Sequence, residues 1–97
     1  MKRIVLLCSA GMSSSILVRN MQKAAAQENF DCSIEAFAFD SYKKVSKGAD
    51  CLLLGPQVGF QKDLVAKEVA CPIVVIDMMT YGTMDGKKAL DLAKGVL

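Results

Sequence analysis

Short apolar runs, each too brief to be more than a buried strand, alternate along this chain with stretches of helical spacing, and that alternation leaves few folds open. Residues 4–8 (IVLLC) and 50–54 (DCLLL) contain unbroken apolar runs, the pattern of strands covered on both faces. Between them Leu17, Met21, Ala24 and Ala25 recur at helical spacing, which predicts a helix from residue 13 or 14 to about 28 with a serine cap. Cys32, Ile34, Ala36 and Ala38 alternate with Ser33, Glu35, Phe37 and Phe39, a period of two that suits a less covered edge strand. A short helix over residues 40–46 is expected, capped by Asp40 and closed at Lys47 and Gly48. Pro56 breaks the strand at 50–54, and a helix over residues 58–69 follows, with Phe60, Leu64, Val65 and Val69 inward and Pro72 beyond its end. Residues 73–76 form a fourth strand and 77–86 (DMMTYGTMDG) a long turn. Asp85 caps a terminal helix whose inner face carries Ala89, Leu90, Leu92, Ala93, Val96 and Leu97.

The order βαβαβαβα with short connections implies an α/β fold: a parallel sheet with right-handed crossovers and helices on both faces. A four-stranded, flavodoxin-like sheet of order 2-1-3-4 puts the two most apolar strands inside and the alternating strand at an edge. Ninety-seven residues, 53% of them hydrophobic, form a single domain over 1–97.

Several function classes fall away. The charge of +2 is interspersed, with no basic stripe or RNA-binding aromatic motif, so nucleic acid is not expected as a partner. No apolar run approaches the roughly 18 residues of a membrane span, so direct membrane insertion is not expected either. The start MKRIVLLCSAG imitates a signal peptide, but its apolar run is shorter than the roughly 7 to 15 residues of such a segment. Leu7 stands where a lipoprotein site needs a small residue. The chain is read as cytoplasmic, retained whole and monomeric. Cys8, Cys32, Cys51 and Cys71 are scattered with no C-x-x-C pair, and histidine is absent. Zinc spacings and a thioredoxin-like dithiol are thereby excluded, no metal or cofactor is called for, and thiols rather than disulfides are expected.

Cys8 stands apart. In open α/β sheets ligands bind beyond the carboxyl ends of the strands where the strand order reverses, here between strands 1 and 3. Cys8 ends strand 1, Gly55, Pro56 and Gln57 follow strand 3, and residues 77–81 follow strand 4. Ser9, Ala10, Gly11, Met12, Ser13 and Ser14 are almost all small, and Gly11 can adopt the left-handed turn of an anion-cradling loop. Their amides and the first helix dipole would bind a phosphate and favour a thiolate. Cys8 is therefore read as a nucleophile beside a phosphate cradle, which requires its sulfur to be reachable. Cys32, Cys51 and Cys71 are read as small core hydrophobes.

A low-molecular-weight cysteine phosphatase shares this placement but carries an arginine six residues past its cysteine, to clamp the phosphoryl group. Here that position is Ser14, and the next cation is Arg19. Hydrolysis should be poorly catalysed, and the site suits holding a phosphoryl group for a partner. A response-regulator-like module would want acidic residues where Leu6, Leu7 and Cys8 stand, and a redox role would need a resolving cysteine. Asp77 admits two readings, a general acid or a turn cap. Met12 likewise reads either as exposed at a docking surface or as core filling.

The strings IVLLCSAGMSSSILVRNM, DCLLLGPQV and VIDMMTYGTMDG closely resemble the enzyme IIB component of the phosphoenolpyruvate-dependent sugar phosphotransferase system, in its lactose/cellobiose/chitobiose group. The likeness spans nearly the whole chain in register. It implies a phosphocarrier transferase that takes a phosphoryl group from a phosphohistidine of enzyme IIA. The group then passes to a disaccharide of the cellobiose, chitobiose or lactose class, imported by the membrane enzyme IIC. Carried onto this sequence, Cys8 is the phosphorylated residue, residues 9–14 the phosphate loop, and Gln57 and Tyr81 belong to neighbouring loops that dock and shape. The donor brings its own histidine, consistent with a chain that has none.

Overall fold

The apolar runs form the two inner strands of the sheet. In the computed structural model, which describes residues 1–8 and 11–97 and the side chains outside 9–14, β1 spans Lys2–Cys8 and β3 spans Cys51–Leu54. Every residue from Ile4 to Leu7, and each of β3, is fully buried. β2 (Cys32–Ala38) and β4 (Ile73–Val75) flank them in the order β2-β1-β3-β4, all parallel. This is the expected order, with the alternating strand at an edge. The register pairs Leu7 with both Phe37 and Leu54, so Cys8 lies opposite Ala38.

Two cores follow from the alternation of side chains along inner strands. Ile4 and Leu6 face α1 (Gly11–Gln27) and α5 (Gly86–Lys94), packing with Leu17, Met21, Ala89, Leu90 and Ala93. Val5 and Leu7 face the opposite side with Leu52, Leu54, Val58 and Val65, beneath α2 (Tyr42–Val45) and α3 (Lys62–Ala66). Helices thus cover both faces. Asp85 caps α5 as expected, accepting from the Lys88 amide at 3.1 Å.

Four details depart from the sequence reading. α1 begins at Gly11, before the serines expected to cap it, so Gly11 belongs to the helix instead of a left-handed turn. Asp40 makes no side-chain cap: a 3₁₀ turn at Phe39–Ser41 leads into α2. The helix expected over 58–69 is a 3₁₀ turn, Pro56–Gln61, followed by the short α3. Its inner face is Val58 and Val65, leaving Phe60 83% and Leu64 46% exposed. Proline opens the segment with tight 3₁₀ geometry, whose three residues per turn put Phe60 on the far side from Val58. Fourth, the long turn after β4 contains a helix, α4 (Met78–Gly82). Among the described residues no helix is long and apolar enough to cross a membrane.

Arg3 anchors the amino-terminal edge of the sheet. Its backbone N–H donates to Asp50 Oδ2 at 2.8 Å, and its guanidinium donates to the carbonyls of Val45 and Lys47 at 2.9 Å each. An ion pair to Glu35 at 3.8 Å completes the set. This arginine serves the fold at the end of β1 opposite to Cys8.

Candidate functional site

Cys8 is the last residue of β1, on the inner strand where the order turns from β2 on one side to β3 on the other. Alternation places its side chain on the same face as Ile4 and Leu6. The chain leaving β3 passes directly beside it: the Gly55 N–H donates to the Leu7 carbonyl at 2.8 Å. A methyl group on Gly55 would stand 3.2 Å from Cys8 Cβ and 2.9 Å from Gln57 Oε1. Glycine thus eases the close approach, and Gln57, although exposed, folds its amide back over it.

α4 supplies the other wall. Asp77 accepts from the Thr80 amide at 3.0 Å and from the Thr80 hydroxyl at 2.7 Å, and the Tyr81 amide closes the turn onto the Asp77 carbonyl at 3.0 Å. Of its two readings, the structure makes Asp77 an N-cap. Thr80 is fully buried, so this small helix is locked at its start, and the lock directs the next residue inward. Tyr81 lies in the core cluster that Cys8's face joins. Burial, and secondarily the charge and hydrogen bond of Cys8, push the Tyr81 phenol above its ordinary value.

The sulfur is not at the surface. Cys8 is 1% exposed, which corrects the expectation of a reachable nucleophile. A segment read as an open turn is a capped helix, α4, whose Thr80 and Tyr81 are also buried. Ser9 and Ala10, and the side chains of Gly11, Met12, Ser13 and Ser14, fall outside the described residues, so the expected cradle and both readings of Met12 lie there too. The backbone of α1 starts at Gly11, three residues past the cysteine.

The remaining cysteines are chemically quiet. Burial pushes the Cys51 thiol up to about 12, with Cys71 and Asp50 adding to it. Burial is also the first cause of the raised values at Cys32 and Cys71. No disulfide joins the described cysteines, and among the described residues no acidic, histidine or cysteine cluster could hold a metal ion.

The Thr80 hydrogen bonds also hold the Asp77 carboxyl below its usual range. A folded-state value below the unfolded one, about 3.9, contributes stability that is present above that value and lost as pH falls through the folded one. Asp77→Asn should therefore lower Tm at pH 7 and flatten its dependence on pH below about 4, measured by thermal denaturation across that range. An unchanged acid limb would contradict the cap.

Comparison with known proteins agrees with this architecture. The family model of the lactose/cellobiose-specific IIB subunit of the phosphotransferase system matches residues 3–92. An oligo-beta-mannoside-specific EIIB component from Bacillus subtilis is 41% identical over 100% of this chain and 97% of its own length. A cellobiose-specific EIIB component from Lactococcus lactis is 45% identical over 99% of this chain and 96% of its own. The solution structure of a cellobiose-specific phosphotransferase IIB component protein from Borrelia burgdorferi superposes with a TM-score of 0.80 at 38% identity, covering 98% of this chain and 90% of that one. With a family match over nearly all its length and full-length relatives well above 30% identity, the chain belongs to the lactose/cellobiose-specific IIB subunits of the sugar phosphotransferase system.

Proposed function

We propose that Cys8 is the residue that carries the phosphoryl group, as a phosphocysteine between a phosphohistidine donor on enzyme IIA and a sugar bound by membrane enzyme IIC. The observation that carries this reading is the placement of Cys8 at the end of β1, at the switch point of the sheet. The thiols of Cys32, Cys51 and Cys71 are all shifted away from ionisation. The loops after β3 and β4 offer the partners an apolar face at the same end: Phe60, Met78 and Met79 are exposed by 83%, 78% and 70%. Gly59, next to Phe60, abuts Val75, the last residue of β4, which brings the two loops together. Aromatic and methionine side chains suit a surface used for successive partners.

Because the sulfur is buried, docking of the donor must uncover it, and the pliable apolar face supplies the binding energy for that step. Transfer then needs positioning and charge stabilisation more than covalent machinery. A hydrolytic reading lacks support, since Arg3 is engaged at the other end of β1 and the relatives carry phosphotransferase-system names. Those relatives are named for different sugars, and we assign the acceptor to the disaccharide class that the sequence resemblance implies.

The test is reconstitution. The chain is incubated with phosphoenolpyruvate, the general phosphotransferase proteins and a cognate IIA, and the phosphate is mapped by mass spectrometry. Phosphate on Cys8 is the expected result; phosphate on any other residue, or none, overturns the assignment.

A further inference from the structure

The turn after β3 brings a polar side chain beside the end of β1. Pro56 fixes the first backbone angle of that turn, and the buried Val58 closes it by donating its amide to the Gly55 carbonyl at 3.0 Å. Gln57, between them, is held by its backbone while its side chain is exposed. Leu54 pairs with Leu7, so Gly55 is the neighbour of Cys8 across the two inner strands. Leu6 and Leu53 both belong to the core on the α1 face, and alternation points positions 8 and 55 the same way. Because residue 55 is glycine, the space beside Cys8 is open, and the Gln57 amide turns back into it. Its Oε1 stands 2.9 Å from the point a Gly55 methyl group would take, and Cys8 Cβ stands 3.2 Å from that point. The amide oxygen therefore lies within about 6 Å of Cys8 Cβ, the most that 2.9 and 3.2 Å can span. A phosphoryl group on Cys8 carries its oxygens three bonds beyond that Cβ, into the range of the two N–H donors of the carboxamide. Resting on the phosphocysteine reading above, we propose that Gln57 is a catalytic residue whose side-chain N–H donates a hydrogen bond to an oxygen of the phosphoryl group carried on Cys8.

Both half-reactions call on the same donor. When the chain is loaded, the Cys8 thiolate gives an electron pair to phosphorus, the S–P bond forms, and the P–N bond of the donor breaks with its pair left on the imidazole nitrogen. When the chain is unloaded, a sugar hydroxyl oxygen attacks phosphorus and releases its proton to water, the O–P bond forms, and the S–P bond breaks with its pair returning to sulfur. In each transition state negative charge is spread over the three equatorial phosphoryl oxygens, and a donor held beside them stabilises that charge. Gln57 keeps its protons throughout. Its neutrality suits a carrier: an uncharged donor holds the phosphoryl group less tightly than the guanidinium of a phosphatase, so the group is steadied in passage without being trapped. The described charged groups nearby do not compete for this role, since Asp77 is an acceptor already engaged with Thr80 and Arg3 is bound at the opposite end of β1.

Gln57→Ala tests this at an exposed position where the fold has little at stake. With phospho-IIA saturating, loading should slow about tenfold, and unloading to sugar in IIC membranes by a similar factor, the size of one lost hydrogen bond. Gln57→Glu keeps the shape but offers only acceptor oxygens at neutral pH, so it should be no faster than Gln57→Ala. Unaltered maximal rates in either variant, with only the half-saturating concentration of phospho-IIA raised, would make Gln57 a docking residue and overturn the proposal. The unaltered chain gives a second reading that does not depend on how a variant folds. The side-chain amide protons of Gln57, followed by NMR, should shift and exchange more slowly with solvent once the chain is phosphorylated. Amide signals that stay unmoved while mass spectrometry finds the phosphate on Cys8 would overturn this proposal and leave the relay standing. Phosphate found on another residue would sink the relay and this proposal together.

Discussion

Cys8→Ser should leave the chain folded while lowering its capacity to pass phosphate from IIA to sugar by roughly a thousandfold or more. The exchange of sulfur for oxygen is nearly isosteric, so the packing around the buried site is kept. A serine hydroxyl, however, is scarcely ionised near neutral pH and no described residue of this site is placed to remove its proton: Asp77 is engaged with Thr80, and the chain has no histidine. Alanine at Cys32, Cys51 or Cys71 gives the contrast. Cys51, with its thiol pushed up to about 12, presents about one thiolate in ten thousand at pH 8, too few to carry flux. Cys51→Ala should cost stability, since the residue is fully buried, yet leave phosphotransfer intact. Steady-state sugar phosphorylation with all four variants, alongside their melting curves, checks the set. Retained transfer in Cys8→Ser, or loss of transfer in a stable Cys51 or Cys71 variant, would move the phosphoryl group to another residue.

The parts of this molecule that were legible in its sequence are those where one physical demand dominates. Ile4 to Leu7 and Cys51 to Leu54 must be buried on both faces, and only inner strands of a parallel sheet allow that. Once they are inside, the order β2-β1-β3-β4 and the position of Cys8 at its switch point follow. The segments that misled are those where local geometry departs from one helical period. Phe60 and Leu64 make a convincing α-helical pair on paper, but Pro56 starts a 3₁₀ turn and the pair faces outward. The α4 helix was hidden by its glycine and threonines, although Asp77 three residues before Thr80 is a capping signal that could have disclosed it. Missing α4 had a functional consequence. Thr80 is the buried threonine that locks this helix, and with the helix read as a turn Cys8 was expected at the surface instead of buried.

The largest stability effect should come from a glycine far from any chemistry. Gly86 is the first residue of α5, buried against the middle of α1. A methyl group there would overlap the Asn20 carbonyl carbon and stand 2.5 Å from both the Asn20 oxygen and the Met21 nitrogen. These are backbone atoms within a continuous helix, so no rotamer change relieves the overlap. Nor can α5 lean away cheaply, because Ala89, Leu90 and Ala93 are fully buried and the Asn20 amide donates to the Met84 carbonyl at 2.8 Å, tying the approach to α5 onto α1. Gly86→Ala should therefore destabilise the fold by about 3 kcal/mol, near the upper end of overpacking costs, and lower Tm by about 15 °C for a domain of this length. The small helical preference of alanine over glycine, at most about 1 kcal/mol, runs the other way and does not rescue it. Gly82→Ala is the matched control. Nothing lies within 4 Å of a methyl group at Gly82, in the last turn of α4, so the same substitution should leave Tm unchanged or raise it slightly, by restricting the unfolded chain. Equal melting temperatures for the two variants would mean that α1 and α5 are not held in backbone contact.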